Sequence, residues 1–116
     1  GVALRKLKNP REAIECYDKA LDLDPSLANV YNNKGNASRD LGKYDQALKC
    51  YEKAIELGLD DTGVYQTKGD VLILLGRYNE AIATYDEALL VNPRHVPSYI
   101  GKGVALKNLG QYPQAI

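Results

Sequence analysis

Apolar positions in residues 62–95 fall into two helical stripes separated by a glycine break. Tyr65, Gly69 and Leu72 stand at i, i+4 and i+7, one face of a helix. Leu75-Gly76 closes that stretch, because glycine takes the left-handed conformation of a helix C-terminus at little cost. Ala81, Ile82, Tyr85, Ala88 and Leu89 then form a second stripe of the same period. Asn92-Pro93 ends it, since proline disfavours helix in the residue before it and cannot itself continue one. The breaks at 42–45, 76–79 and 110–113 (Gly-Lys-Tyr-Asp, Gly-Arg-Tyr-Asn, Gly-Gln-Tyr-Pro) are short, so the helices they join run antiparallel. Small residues at Gly69 and Ala81 let the two backbones approach while tyrosines fill the space around them.

The same pattern returns every 34 residues: Gly1, Gly35, Gly69 and Gly103 form one column, Leu7, Leu41, Leu75 and Leu109 another. Ala13, Ala47, Ala81 and Ala115 form a third, and Ala20, Ala54 and Ala88 a fourth. All nine tyrosines occupy three columns, Tyr17/51/85, Tyr31/65/99 and Tyr44/78/112. The chain reads as one array over 1–116, with a partial unit 1–27, full units 28–61 and 62–95, and a partial unit 96–116. A single helical hairpin cannot bury its apolar stripe, so the expected fold is all-α, with hairpins stacked on their neighbours.

Composition narrows what such an array does. Lys plus Arg and Asp plus Glu are 15 each, a net charge of zero that leaves no field to hold a polyanion and argues against nucleic acid as a partner. No apolar run approaches the roughly 20 residues of a membrane span. Two cysteines make no disulfide framework and suit a reducing, cytoplasmic setting. With one histidine and no conspicuous nucleophile, the chain is expected to have no catalytic activity, cofactor or metal.

These columns resemble the tetratricopeptide repeat, a 34-residue helix–turn–helix with set Trp, Leu-Gly, Tyr, Ala, Phe and Pro positions. In 62–95, Tyr65 stands in the Trp column, Gly69 in the Gly column and Leu72 in the Tyr column, with Ala81, Tyr85, Ala88 and Pro93 filling the rest. Unit 28–61 matches at Tyr31, Gly35, Ala47, Tyr51 and Ala54 but carries Ser38 in the Tyr column and Leu59 in the Pro column. Lys34, Lys68 and Lys102 replace the usual Leu; a lysine stem can cover apolar surface with its ammonium in water. The resemblance implies an α-solenoid wound as a right-handed superhelix, whose first helices line a concave groove that holds a peptide, helix or partner domain.

If the Tyr31/Gly35 face packs inward, the exposed columns are Asn29/Gly63/Pro97, Asn32/Gln66/Ile100 and Val2/Asn36/Asp70/Val104. Arg5/Arg39/Ile73/Lys107 and Lys6/Asp40/Leu74/Asn108 follow. The candidate partner-binding residues are therefore Asn29, Asn32, Asn36 and Arg39, where amides can pair with a ligand backbone, and then Gln66, Asp70, Ile73, Leu74, Ile100, Val104 and Lys107. The alternative is that the aliphatic residues pack between helices and the asparagines are solvated.

Chaperone-binding members of the family grip a C-terminal carboxylate through Lys and Asn on one first helix, Asn on the next, and Lys and Arg on the third. Here those positions hold Asn32, Asn36, Thr67, Pro97 and Gly101, or one unit earlier Val2, Asn33, Gly63 and Thr67. Without the cations there is no charge-assisted grip, so a carboxylate clamp is not expected. An asparagine ladder fails too, because Asn33 is followed in register by Thr67 and Gly101. His95 reads as a solvated loop side chain, Cys16 and Cys50 as free thiols, and Asp61 as an N-cap. Arg5, Lys6, Lys8 and Arg11 read as a solvated basic turn. The leading expectation is a protein-interaction scaffold. A regulatory or substrate-recruiting segment of a larger enzyme is the alternative, and apolar Val2, Leu4, Ala115 and Ile116 at the ends predict weak end-to-end self-association.

Overall fold

The computed structural model describes residues 9–59 and 61–111. Among them are six α-helices and no strand: α1 (Pro10–Leu23), α2 (Ala28–Asp40), α3 (Tyr44–Glu56), α4 (Thr62–Leu74), α5 (Tyr78–Val91) and α6 (Val96–Gln111). They group into two compact units, Gly1–Leu59 and Asp60–Ile116. Val2, Leu4, Arg5, Lys6, Lys8, Tyr112, Pro113, Ala115 and Ile116, on which the readings of the ends and of the last turn rest, lie outside the described residues.

In the first unit α2 packs against both α1 and α3. Pro10 opens α1 behind the Asn9 cap, whose Oδ1 accepts the Arg11 N–H at 2.9 Å. At its other end Asp24 Oδ1 accepts the Ser26 N–H at 3.0 Å and its hydroxyl at 2.6 Å, bonds that hold the Asp24 carboxyl below the usual range. α2 ends at Gly42, φ 79°, with Lys43 N–H bonded to Ser38 O and Gly42 N–H to Arg39 O, the paired closure that spends two otherwise orphaned carbonyls. The core is small-residue rich, with Ala37, Ala47, Leu48, Cys50 and Ala54 around the fully buried Tyr51.

In the second unit α5 packs against both α4 and α6, which also touch each other. Asp61 caps α4 as expected, accepting the Gly63 N–H at 2.8 Å. Gly76, φ 76°, ends α4 with the same double closure as Gly42, through Arg77 N–H to Leu72 O and Gly76 N–H to Ile73 O. The core is Val71, Leu72, Ala81, Ala88 and Ala105 around Tyr85, which has no exposed surface.

Three sequence expectations need adjustment. The glycine column makes room for a ring rather than for a neighbouring backbone: a Cβ on Gly69 would lie 2.6 Å from Tyr85 Cε1, and one on Gly35 2.7 Å from Tyr51 Cε1. Leu59, which breaks the Pro column, is excused by Gly58, whose φ of 103° lets α3 stop where α1 and α5 use Asp24-Pro25 and Asn92-Pro93. Finally, α6 runs through Gly110 to Gln111, which a glycine inside a helix opposes by only about 1 kcal/mol, and the rest of the turn anticipated at 110–113 lies outside the described residues.

Candidate functional site

A cavity of about 450 Å³ lies in the second unit between α4 and α6. Ile73, Leu74, Pro97, Ile100 and Val104 give it an apolar lining, and Gln66, Asp70, Gly101 and Tyr85 complete it. Leu74, Ile100 and Val104 keep 59%, 63% and 42% of their surface exposed, so they are not packing residues between helices. Gly101 makes room for the Tyr85 ring, since a Cβ there would overlap Tyr85 Cζ.

One carboxylate enters this apolar surface. Tyr85 donates its hydroxyl to Asp70 Oδ1, and Gln66 Nε2 donates to Asp70 Oδ2 at 3.5 Å. Burial, and then the Asp70 hydrogen bond, push the Tyr85 phenol well above its ordinary range. No lysine or arginine lines the cavity.

The first unit places its own tyrosine in the same register, with Tyr51 donating to Asn36 Oδ1 at 2.7 Å. Asn36 also lines a smaller cavity of about 310 Å³ with Pro10, Ala13, Tyr17, Asn33, Ala37 and Asp40. The remaining amides do not form a ladder: Asn29 is exposed, whereas Asn32 has a buried Oδ1 without a hydrogen-bond partner. Arg39 lies 3.5 Å from Asp40. The second-unit cavity thus gathers Gln66, Asp70, Ile73, Leu74, Ile100 and Val104 from the sequence candidates, while Lys107 lies one exposed turn further along α6. Tyr85 and Gly101 escaped the reading from columns, and Pro97, which stands in an exposed column, was not among the candidates. A signal existed in Gly101, the smallest residue of a column that otherwise holds Asn33 and Thr67.

Lysines 34 and 102 do more than cover apolar surface. Lys34 Nζ bonds Asp18 at 2.6 Å and Lys102 Nζ bonds Asp86 at 2.8 Å, each joining a first helix to the second helix before it. The Asp18 hydrogen bond is the main cause raising the Lys34 ammonium above its ordinary pKa. His95 is likewise engaged, its Nδ1 lying 2.7 Å from the hydroxyl of the fully buried Ser98 at the start of α6. Both cysteines are free; Cys16 is exposed, and burial pushes the Cys50 thiol up. Among the described residues no cluster of His, Cys, Asp and Glu could hold a metal ion, and no helix is long and apolar enough to cross a membrane.

Comparison with known proteins agrees with this architecture. Models of the tetratricopeptide repeat match residues 28–58 and 62–95, and a TPR repeat model matches residues 1–38. No curated protein sequence matches the chain. Among solved structures, MamA superposes with a TM-score of 0.86 at 25% identity over 91% of this chain and 62% of its own. YrrB, described as a TPR protein with an unusual peptide-binding site, gives 0.81 at 28% identity over 97% of this chain and 58% of its own. The first TPR of Spaghetti (RPAP3), bound to the HSP90 peptide SRMEEVD, gives 0.86 at 25% identity over 95% of this chain and 87% of its own. The chain therefore spans about three-fifths of the length of MamA and YrrB.

Proposed function

From the premise that the chain belongs to the tetratricopeptide repeat family, an all-α helical-repeat family of interaction modules, we propose that it binds a peptide or partner segment along its first helices, with the α4–α6 cavity as the principal contact. The observation that carries this reading is the exposure of Leu74, Ile100 and Val104 around one cavity. Aliphatic side chains held open to water on rigid helices stabilise a partner that covers them, by about 25 cal/mol for each Å² of apolar surface removed from water. Peptide binding by YrrB and by the Spaghetti domain supports the same class of ligand.

The chain is not a carboxylate clamp on this reading. Its cavity presents Asp70 and no cation, so an acidic tail meets repulsion where a clamp offers lysine and arginine. Catalysis has no part in it, and the working compartment is the cytoplasm.

One variant tests the groove and one peptide tests the clamp. Leu74→Glu/Ile100→Glu changes two side chains that are more than half exposed, so the fold survives and circular dichroism confirms it. Partners captured by the parent chain should be lost by this variant; equal capture by both sinks the groove reading. In isothermal titration the peptide SRMEEVD should give no heat with the parent chain, and saturable binding of it would restore the clamp.

A further inference from the structure

Resting on the peptide-binding reading, we infer that the α4–α6 cavity selects a basic-aliphatic segment, an aliphatic side chain with a lysine or arginine within two residues of it. The aliphatic group fits between Ile73, Leu74, Ile100 and Val104, and the cation reaches Asp70. Charge complementarity supplies the second half. Asp70 is the single ionised side chain of the cavity, and among the described residues no cation pairs with it. A carboxylate has about four acceptor positions, of which Tyr85 and Gln66 occupy one on each oxygen. Both partners are neutral donors. They orient the carboxylate and leave its charge uncompensated beside an apolar wall, where an ammonium or guanidinium group is the matching ligand. At about 450 Å³ the cavity is within the range of about 300–1,000 Å³ typical of ligand clefts. Side chains two residues apart on one face of an extended peptide lie about 7 Å from each other, so one segment can present both groups to a single cavity.

The first unit provides the control. Its Asn36 accepts the Tyr51 hydroxyl in the register where Asp70 accepts that of Tyr85, so Asp70→Asn keeps an acceptor for the Tyr85 hydroxyl and removes the charge, together with the acceptor of the long Gln66 bond. A random-octapeptide phage library selected on the full chain gives the probe peptides, which are synthesised and titrated by fluorescence anisotropy. The expected enrichment is for an aliphatic residue with Lys or Arg at one or two positions from it. Asp70→Asn should weaken the selected peptide about tenfold, one ion pair's worth in a partly desolvated site. Replacing the peptide's basic residue by Gln should cause the same loss, with no further loss on Asp70→Asn. Selected peptides that need Leu74 and Ile100 but bind Asp70→Asn equally well overturn the cation assignment and leave the groove reading standing. Peptides indifferent to Leu74→Glu/Ile100→Glu, or no selection at all, overturn both.

Discussion

The two buried tyrosines carry nearly the same bond to different acceptors, a neutral amide at Asn36 and a carboxylate at Asp70. Removing a hydroxyl leaves its acceptor under-satisfied, and the loss is larger when that acceptor is charged. Tyr85→Phe should therefore cost about 2 kcal/mol and Tyr51→Phe about 1 kcal/mol in urea denaturation. Equal losses would mean that the charge on Asp70 plays no part. The Lys34–Asp18 pair has a pH signature. Because the folded lysine titrates above its ordinary value of 10.5, the stabilisation is complete below that pH and is lost as pH rises through the raised value. The stability difference between the parent chain and Asp18→Asn should be flat from pH 7 to 10 and close above it. Asp18 is half exposed, so the difference is at most about 1 kcal/mol.

At the level of the helix, two glycines separated by one residue of α6 have opposite assignments. A Cβ at Gly101 would collide with the ring and hydroxyl of Tyr85, whereas a Cβ at Gly103 meets nothing within 4 Å. Gly101→Ala should cost about 1–3 kcal/mol through overpacking and also abolish peptide binding by shifting the cavity wall. Gly103→Ala should stabilise the chain by up to about 1 kcal/mol, the gain from alanine's higher helix propensity. Thermal unfolding of the pair decides it, and melting shifts of the same sign would contradict the packing. The helices themselves were legible from their stops and stripes: glycine after Leu41 and Leu75, proline after Asn92. The pairing of Tyr85 with Gly101 was hidden, because the column pattern marks which residues face inward but not which ring occupies which gap. Gly58 was hidden for a related reason. A proline column advertises one way to stop a helix, and Leu59 looked like its loss until the backbone showed a substitute one residue earlier.

Over the whole chain, net charge vanishes while individual charges are placed with care. One cross-helix Lys–Asp bond recurs in each compact unit, Lys34–Asp18 in one and Lys102–Asp86 in the other. The two share no partner, so Asp18→Asn and Asp86→Asn should act additively on the denaturation free energy, within about 0.5 kcal/mol. A double variant that loses much more than the sum of the singles would reveal coupling between the units. The sequence already exposed the lysine column; the aspartates stood 16 residues earlier, on a different helix, and only packing brings them together. The cavity was legible in the same partial way. Columns identified Ile73, Leu74, Ile100 and Val104 as one surface, yet the tyrosine beneath it belongs to the core pattern and gave no sign of also lining a site.

The Tyr51–Asn36 and Tyr85–Asp70 bonds differ by an amide in place of a carboxylate. An array that grows by duplication copies the tyrosine and its bond together, and later drift at the acceptor position is tolerated because either side chain accepts the same hydrogen bond. Diversification can then proceed one repeat at a time, with ligand preference rewritten at that position while the interior stays as inherited.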